Sequence, residues 1–254
     1  MSIRLSTSLV NYLASGGSLK KAFSDGCIDI YNGVQPATAD SASGALLLCR
    51  ITYQGGAFTP AVPSTAKKDK LVINSAVNAL TYGYIVNGGT PYSVTAVVPT
   101  DTAATVATKL AALINASAVV FAIDDGAGEI IIQERFAGVG FISSSTGTGS
   151  LTLTPVTASA RSTGIQFGGV AVGALSKEAG AWQGSGLQAG LAGWGRIKSN
   201  QTSGFDDDST GTTFIRLDFA INTANSDMIA LSSLNMVAGV TSTVDTCVLT
   251  IPQS

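Results

Sequence analysis

The stretch Thr213-Phe214-Ile215-Arg216-Leu217-Asp218-Phe219-Ala220-Ile221 decides the fold class. Ile215, Leu217, Phe219 and Ile221 alternate with Phe214, Arg216, Asp218 and Ala220, and residues at period two stand on opposite faces of a strand. One face is expected to be core, the other wet or shared with a partner. Downstream, Met228 to Leu234 and Thr243 to Ile251, the latter stopped by Pro252, read as further strands. Leu191 to Lys198 is a weaker candidate, because Gly193 and Gly195 flank Trp194 and blur the alternation. Near the start of the chain, Cys27 to Tyr31, ended by Asn32-Gly33, and Ala45 to Tyr53, closed by Gly55-Gly56, have the same period. Ile3 to Phe23 reads as one or two short helices broken at Gly16 and Gly17, with Leu5, Leu9 and Leu13 at four-residue spacing.

Between these flanks a block from residue 67 to 160 has a grammar of its own, bounded by the Pro/Ser/Thr stretch Pro60 to Ala66 and by Thr157 to Thr163. Tyr82 to Val86 and Tyr92 to Val98 suggest a hairpin around Asn87-Gly88-Gly89, residues that tolerate the positive φ of tight turns. A helix is expected after Pro99, capped by Thr100 or Asp101, with Val106, Leu110, Leu113 and Ile114 as its apolar stripe. Strands Ala118 to Ile123 and Glu129 to Glu134 flank an Asp124-Asp125-Gly126 turn, and Leu151 to Val156 ends the block, giving a ββαββ-type layer. The expected organisation is a mainly β chain: a β-sandwich or jelly-roll-like host domain with short N-terminal helices (1–66 and 161–254), interrupted by a small α+β domain (67–160) whose ends lie close together.

Composition narrows the function. Of 254 residues, 45% are hydrophobic and only 12% charged, with 29 glycines and no histidine; an average soluble domain carries about 25% charged residues. A surface of Thr, Ser, Asn and Ala is poorly defended against association, which suits a subunit packed against neighbours. Net charge is −2, and the densest basic cluster is Lys67, Lys68 and Lys70. No basic stripe is laid out for phosphates, so nucleic acid is not expected as a direct ligand. No stretch approaches the roughly 18–20 apolar residues of a membrane span, and Met1 to Leu13 lacks a signal-peptide apolar run.

Absence of histidine excludes His-based triads and any His-bearing zinc site. No cofactor is expected. The one dense acidic run, Asp206-Asp207-Asp208, reads as a solvated loop, with a structural cation site or a glycosidase carboxylate pair as alternatives. Trp182 and Trp194 read as core anchors or as a sugar-stacking platform. Tyr82, Tyr84 and Tyr92 share a hairpin, as an interface patch or as cross-strand packing. Cys27, Cys49 and Cys247 are odd in number and far apart, and read as reduced core thiols or as one bridge and a remainder.

Two stretches resemble a known family. Gly26-Cys27-Ile28-Asp29-Ile30-Tyr31-Asn32-Gly33-Val34-Gln35-Pro36, continuing to Ala39-Asp40 and Gly44 to Leu47, resembles the N-terminal signature of small tailed-phage virion proteins. The second is Ala189-Gly190-Leu191-Ala192-Gly193-Trp194-Gly195-Arg196, followed by Asp218-Phe219 and Val237 to Val240. The resemblance covers residues 1 to about 60 and 165 to 254 and brings no catalytic residues. It implies a virion component assembled in the bacterial cytoplasm, preferably a head decoration (cement) subunit that binds the major capsid protein and other copies of itself. A tail module that binds a receptor or carbohydrate through Trp182, Tyr82, Tyr84 and Tyr92 is the alternative, and a lytic enzyme resting on Asp207 or Asp208 a third. The insert departs from the compact form and resembles accessory domains of phage head and tail proteins.

Overall fold

The computed structural model describes residues 3–171, 174–200, 210–221 and 229–250. The chain forms two compact units, Met1–Pro63 with Thr163–Ser254, and Ser64–Ser162. Unit 1 begins with β1 (Arg4–Leu5), α1 (Thr7–Ala14), α2 (Leu19–Phe23), β2 (Cys27–Asn32) and β3 (Leu47–Tyr53). Unit 2 contains β4 (Lys68–Ile73), β5 (Thr81–Val86), β6 (Tyr92–Thr95), α3 (Ala103–Ile114), β7 (Val120–Asp124), β8 (Glu129–Glu134), β9 (Ser143–Gly147) and β10 (Leu151–Thr157). The chain returns to unit 1 as β11 (Phe167–Ala171), β12 (Ala174–Lys177), β13 (Trp182–Ser185), β14 (Gly190–Lys198), β15 (Arg216–Ala220), β16 (Ile229–Leu231), β17 (Asn235–Met236) and β18 (Thr241–Thr250).

Unit 1 is mainly β, as its period-two pattern implies. Among the described residues its eleven strands form one antiparallel sheet in the order β1-β15-β14-β2-β3-β13-β18-β12-β11, with β16 on β18 and β17 on β14. The sheet curls, so residues as distant as Ile30, Ile51, Trp182, Phe219 and Leu249 share one apolar core with Leu9 and Phe23 of the helices. The break at Gly16 and Gly17 separates α1 from α2, each capped by a serine: Ser6 Oγ accepts from Leu9 N at 3.2 Å and Ser18 Oγ from Lys21 N at 3.2 Å. Leu5 does not join the helical stripe. It lies in β1, paired with Leu217, and is exposed.

The Gly-interrupted segment around Trp194 is a central strand. Gly193 sits at a register shift between β14 and β2, and a Cβ there would stand 2.2 Å from Gly33 O. A Cβ on Gly195 would stand 2.4 Å from Phe219 Cζ. The glycines that blur the pattern are thus what let a neighbouring backbone and an aromatic ring close against the strand.

Unit 2 differs from the single ββαββ layer expected. It has a four-stranded sheet, β10-β4-β8-β7, and a three-stranded sheet, β6-β5-β9. The reason is the β9–β10 connection: β9 pairs with β5 whereas β10 pairs with β4, so consecutive strands join different sheets. Helix α3 touches strands of both sheets and buries Val106, Ala107, Leu110, Ala111 and Ile114. Leu113 is exposed, because a strip that runs through Leu110 and Ile114 to Ala107 and Ala111 leaves position 113 at its margin. The cap is Thr102, not Thr100 or Asp101: Thr105 N donates to Thr102 Oγ1 (3.3 Å), and Thr105 Oγ1 accepts from Thr102 N (2.7 Å). Asp101 instead accepts from Val97 N (2.9 Å) and pairs with Lys109 Nζ (2.5 Å). The ends of the unit meet in a two-residue bridge, with Thr65 N donating to Ala160 O (2.7 Å) and Ala160 N to Thr65 O (3.1 Å). Glu134 reinforces it, its carboxylate accepting from Lys67 N (2.7 Å), Ser159 Oγ (3.1 Å) and Gly140 N (2.7 Å).

Candidate functional site: a buried charged layer and an apolar rim

The core face of β2 carries Ile28 and Ile30, so strand geometry sends Cys27, Asp29 and Tyr31 to the other face. On β14 the same face receives Trp194, Arg196 and Lys198, and on β15 Arg216 and Asp218. Register places Asp218 opposite Arg196, Arg196 opposite Asp29, and Asp29 opposite Arg50. Signs therefore alternate across four adjacent strands, the favourable arrangement for cross-strand neighbours. This face was expected to be wet or shared with a partner, yet Asp29, Arg196 and Asp218 are fully buried and Arg216 and Lys198 nearly so. Over Arg196 lies the loop 33–46, whose Ser41 O accepts from Arg196 Nη2 and whose Gln35, Ala39 and Ser43 are buried.

Geometry in the layer is that of structural ion pairing. Arg196 holds Asp218 with both arms, Nε to Oδ1 at 2.7 Å and Nη2 to Oδ2 at 2.8 Å, and Nη2 also donates to Ser41 O of the covering loop at 2.9 Å. Asp29 lies between Arg50, at 2.7 and 3.1 Å, and Lys198 Nζ, at 2.7 Å. Burial alone would raise the Asp29 carboxyl, but the charges and hydrogen bonds of Lys198 and Arg50 outweigh it and hold it below the ordinary carboxylate value. Beside the charged row the Tyr31 and Trp194 rings stack, centroids 4.6 Å apart, and the Arg196 guanidinium lies 5.3 Å from the Trp194 centroid. Loop 33–46 is fastened at its far side: Asp40 accepts from Thr7 N at 3.0 Å and Thr7 Oγ1 at 2.6 Å at the start of α1, and Asp40 O accepts from Gly211 N at 2.8 Å.

This chemistry is poor for turnover. A carboxylate pinned between two cations is a weak base and stays ionised, so Asp29 has no proton to give near neutral pH. Cys27 Sγ donates to Asp29 Oδ1 at 3.7 Å, and burial together with that carboxylate pushes its thiol well up, leaving it neutral. Cys49 and Cys247 are pushed up by burial to about 11 and about 12, and all three cysteines are free and buried in strands, which removes the bridge alternative. Among the described residues no group of three His, Cys, Asp or Glu side chains could hold a metal.

The other sequence candidates are dispersed. Asp206, Asp207 and Asp208 lie outside the described residues. Trp182, Tyr82 and Tyr84 are fully buried and present no face to a sugar: Trp182 meets Phe167 edge to face at 5.1 Å in the unit 1 core, and Tyr82 OH donates to Ser75 O at 2.7 Å. Tyr92, half-buried, packs on the unit 2 core. Lys67 and Lys70 are drawn into ion pairs, Lys67 with Asp69 at 3.4 Å and Lys70 with Glu129 at 2.8 Å. A cleft in unit 1 brings Tyr12, Lys21, Asp25 and Ser199 together. Among the described residues no helix is long and apolar enough to cross a membrane.

What the sequence reading missed is an apolar rim at one end of the unit 1 sheet. The turn after β13 is tied to the turn before β18, Gly186 N donating to Val240 O at 2.9 Å and Gly239 N to Gly186 O at 2.8 Å. It is tied to β3 as well, through Leu187 N to Leu48 O at 2.7 Å. Around these ties Val34, Leu46, Leu187, Leu191, Val237 and Val240 are 41% to 82% exposed. A signal was present in sequence, since residues 179–195 and 228–244 contain no Asp, Glu, Lys or Arg.

No family model matches the chain, and no curated protein matches it.

Proposed function

We propose that the protein is a non-enzymatic structural component of a tailed-phage particle, a head decoration subunit that binds the major capsid protein. The observation that carries this reading is where its two signature stretches meet. Asp29 and Tyr31 of the first, and Trp194, Arg196 and Asp218 of the second, are more than 150 residues apart in places and form one buried layer. The residues that bear the resemblance are thereby the ones that set strand register and pin the loop 33–46, work that belongs to a scaffold and not to a reaction. Both carboxylates of that layer are held by its cations, and the rim at the end of the same sheet exposes aliphatic side chains, as a subunit that acts by contact requires. Repeated over a shell, interfaces of roughly 1,600 Å² each would stabilise the assembled lattice by mass action.

The test is made on purified particles of the phage that encodes the chain. Mass spectrometry should find it in many copies per particle, and a cryo-electron reconstruction should place it on the head surface. A few copies at the tail would move it to the alternative tail placement; absence from particles would end the proposal.

A further inference from the structure

We infer that the loop 33–46 is a hinged flap that swings off Arg196 while the strands at its two ends stay paired. The inference concerns unit 1 by itself and holds or fails apart from the virion reading. Both hinges are glycines in the left-handed region, Gly33 at φ 71° and Gly44 at φ 57°, and a Cβ at either would meet nothing within 4 Å. The root of the flap is anchored, since Gly33 O lies against Gly193. Opening therefore changes a few dihedrals at two glycines and leaves the sheet register alone. Little hydrocarbon holds the body down: Ala39 is its one buried apolar side chain. When the flap lifts, Arg196 loses the bond from Nη2 to Ser41 O and keeps both bonds to Asp218. Water then rehydrates an ion pair, which offsets part of the cost of opening.

Asp40 is the latch. Its carboxylate accepts from Thr7 N at 3.0 Å and Thr7 Oγ1 at 2.6 Å, at the N-terminus of α1, where the helix dipole favours a negative charge. Its carbonyl accepts from Gly211 N at 2.8 Å, and Ala42 N adds a bond to Thr210 Oγ1 at 3.2 Å. The Thr7 and Thr210 ties are exposed to solvent. A segment held by exposed hydrogen bonds and little buried apolar surface opens locally, without wider unfolding. Closed, the loop turns uncharged Val34, Ala37 and Thr38 to solvent; open, it uncovers the Arg196 guanidinium and its Asp218 partner. The device switches one patch of unit 1 from uncharged to ionic, and the Asp40 ties set how often.

The experiment is native-state hydrogen exchange on the full chain, followed amide by amide at low urea concentrations. The reporters are the Ala42 and Gly211 amides, whose bonds cross the edge of the flap. Both should exchange faster than the amides of β2 and β3 and without dependence on urea, because the opening exposes little surface. Asp40→Ala, which keeps both reporter bonds, should speed them by at least about tenfold. In that variant Arg196 should also react at least about tenfold faster with an arginine-directed dicarbonyl reagent, read by peptide mapping. Leu175→Ala, a cavity in the unit 1 core, should speed exchange in β2 and β3 and leave Ala42 and Gly211 as in wild type. Reporters that share the rate and urea slope of β2 and β3 overturn the inference, as do reporters that Leu175→Ala speeds equally. An Asp40→Ala chain with wild-type exchange at Ala42 and wild-type reactivity at Arg196 overturns it as well.

Discussion

Unit 1 and unit 2 bury their secondary structure by different means. In unit 2 the core is hydrocarbon, and helix α3 packs against strands of both sheets with Val106, Leu110 and Ile114 buried. In unit 1 the central strands β15, β14, β2 and β3 are buried on both sides, with hydrocarbon on one and an alternating row of carboxylates and cations on the other. The apolar face of a strand constrains which side turns inward but tolerates a two-residue slide; a row of alternating charges does not, because sliding any strand would leave unpaired ions in a dry layer. The ionic layer therefore contributes register where the hydrocarbon contributes free energy.

That contrast can be broken at its extremes. The largest effect is expected from Asp29→Ala, which takes the shared carboxylate from buried Lys198 and partly exposed Arg50 and should cost unit 1 about 3–5 kcal/mol. Both tryptophans lie in unit 1, so their emission follows its unfolding alone; tyrosine signals in unit 2 should keep their midpoint. An unchanged tryptophan midpoint would show the layer to be unnecessary. In unit 2, Leu110→Ala should cost about 2–5 kcal/mol as a core cavity forms, whereas Leu113→Ala, on the exposed side of the same helix, should stay within about 0.5 kcal/mol.

The thiols sharpen the comparison through pH. Cys49 and Cys247 have folded values of about 11 and about 12, above the ordinary thiol value. Unfolded chains then lose protons that the folded chain keeps, so the contribution of these thiols is intact below about pH 8.5 and is lost as pH rises toward their folded values. Titrating unit 1 unfolding between pH 8 and 10 should show falling stability that a Cys27→Ala/Cys49→Ala/Cys247→Ala variant lacks, and native protein should resist thiol alkylation. A modest effect is expected from Thr102→Ala, which removes a helix cap of about 1 kcal/mol and should lower the unit 2 midpoint only.

Much of this architecture is legible in the chain. The alternation at Ile215, Leu217 and Phe219 is enough to name a strand, and the Asn87-Gly88-Gly89 and Asp124-Asp125-Gly126 turns mark hairpins that form with the expected neighbours. The stretches Pro60 to Ala66 and Thr157 to Thr163 contain the points where the structure divides into units. The charged layer was not legible, for a physical reason: a strand with Arg216 and Asp218 on one face reads as half-exposed, and only the pairing of four strands far apart in sequence brings the neutralising partners together. Strand β4 hides similarly, since Lys67, Lys68 and Lys70 obscure the alternation of Asp69, Leu71 and Ile73, all buried. Strand β9, Ser143-Ser144-Ser145-Thr146-Gly147, has no apolar residue and is held by its ladder to β5. The rim escaped notice because uncharged Gly- and Ala-rich stretches read as loops until their ends are seen tied together.

The account stands most directly on whether Arg196 and Asp218 act as one unit. Urea unfolding of Arg196→Met, Asp218→Leu and the combined variant, followed by tryptophan emission, forms a double-mutant cycle. Each single change takes from a buried charge its bidentate partner, so the double variant should be more stable than either single one. Losses that simply add, with the double variant the least stable of the three, would contradict a paired structural layer.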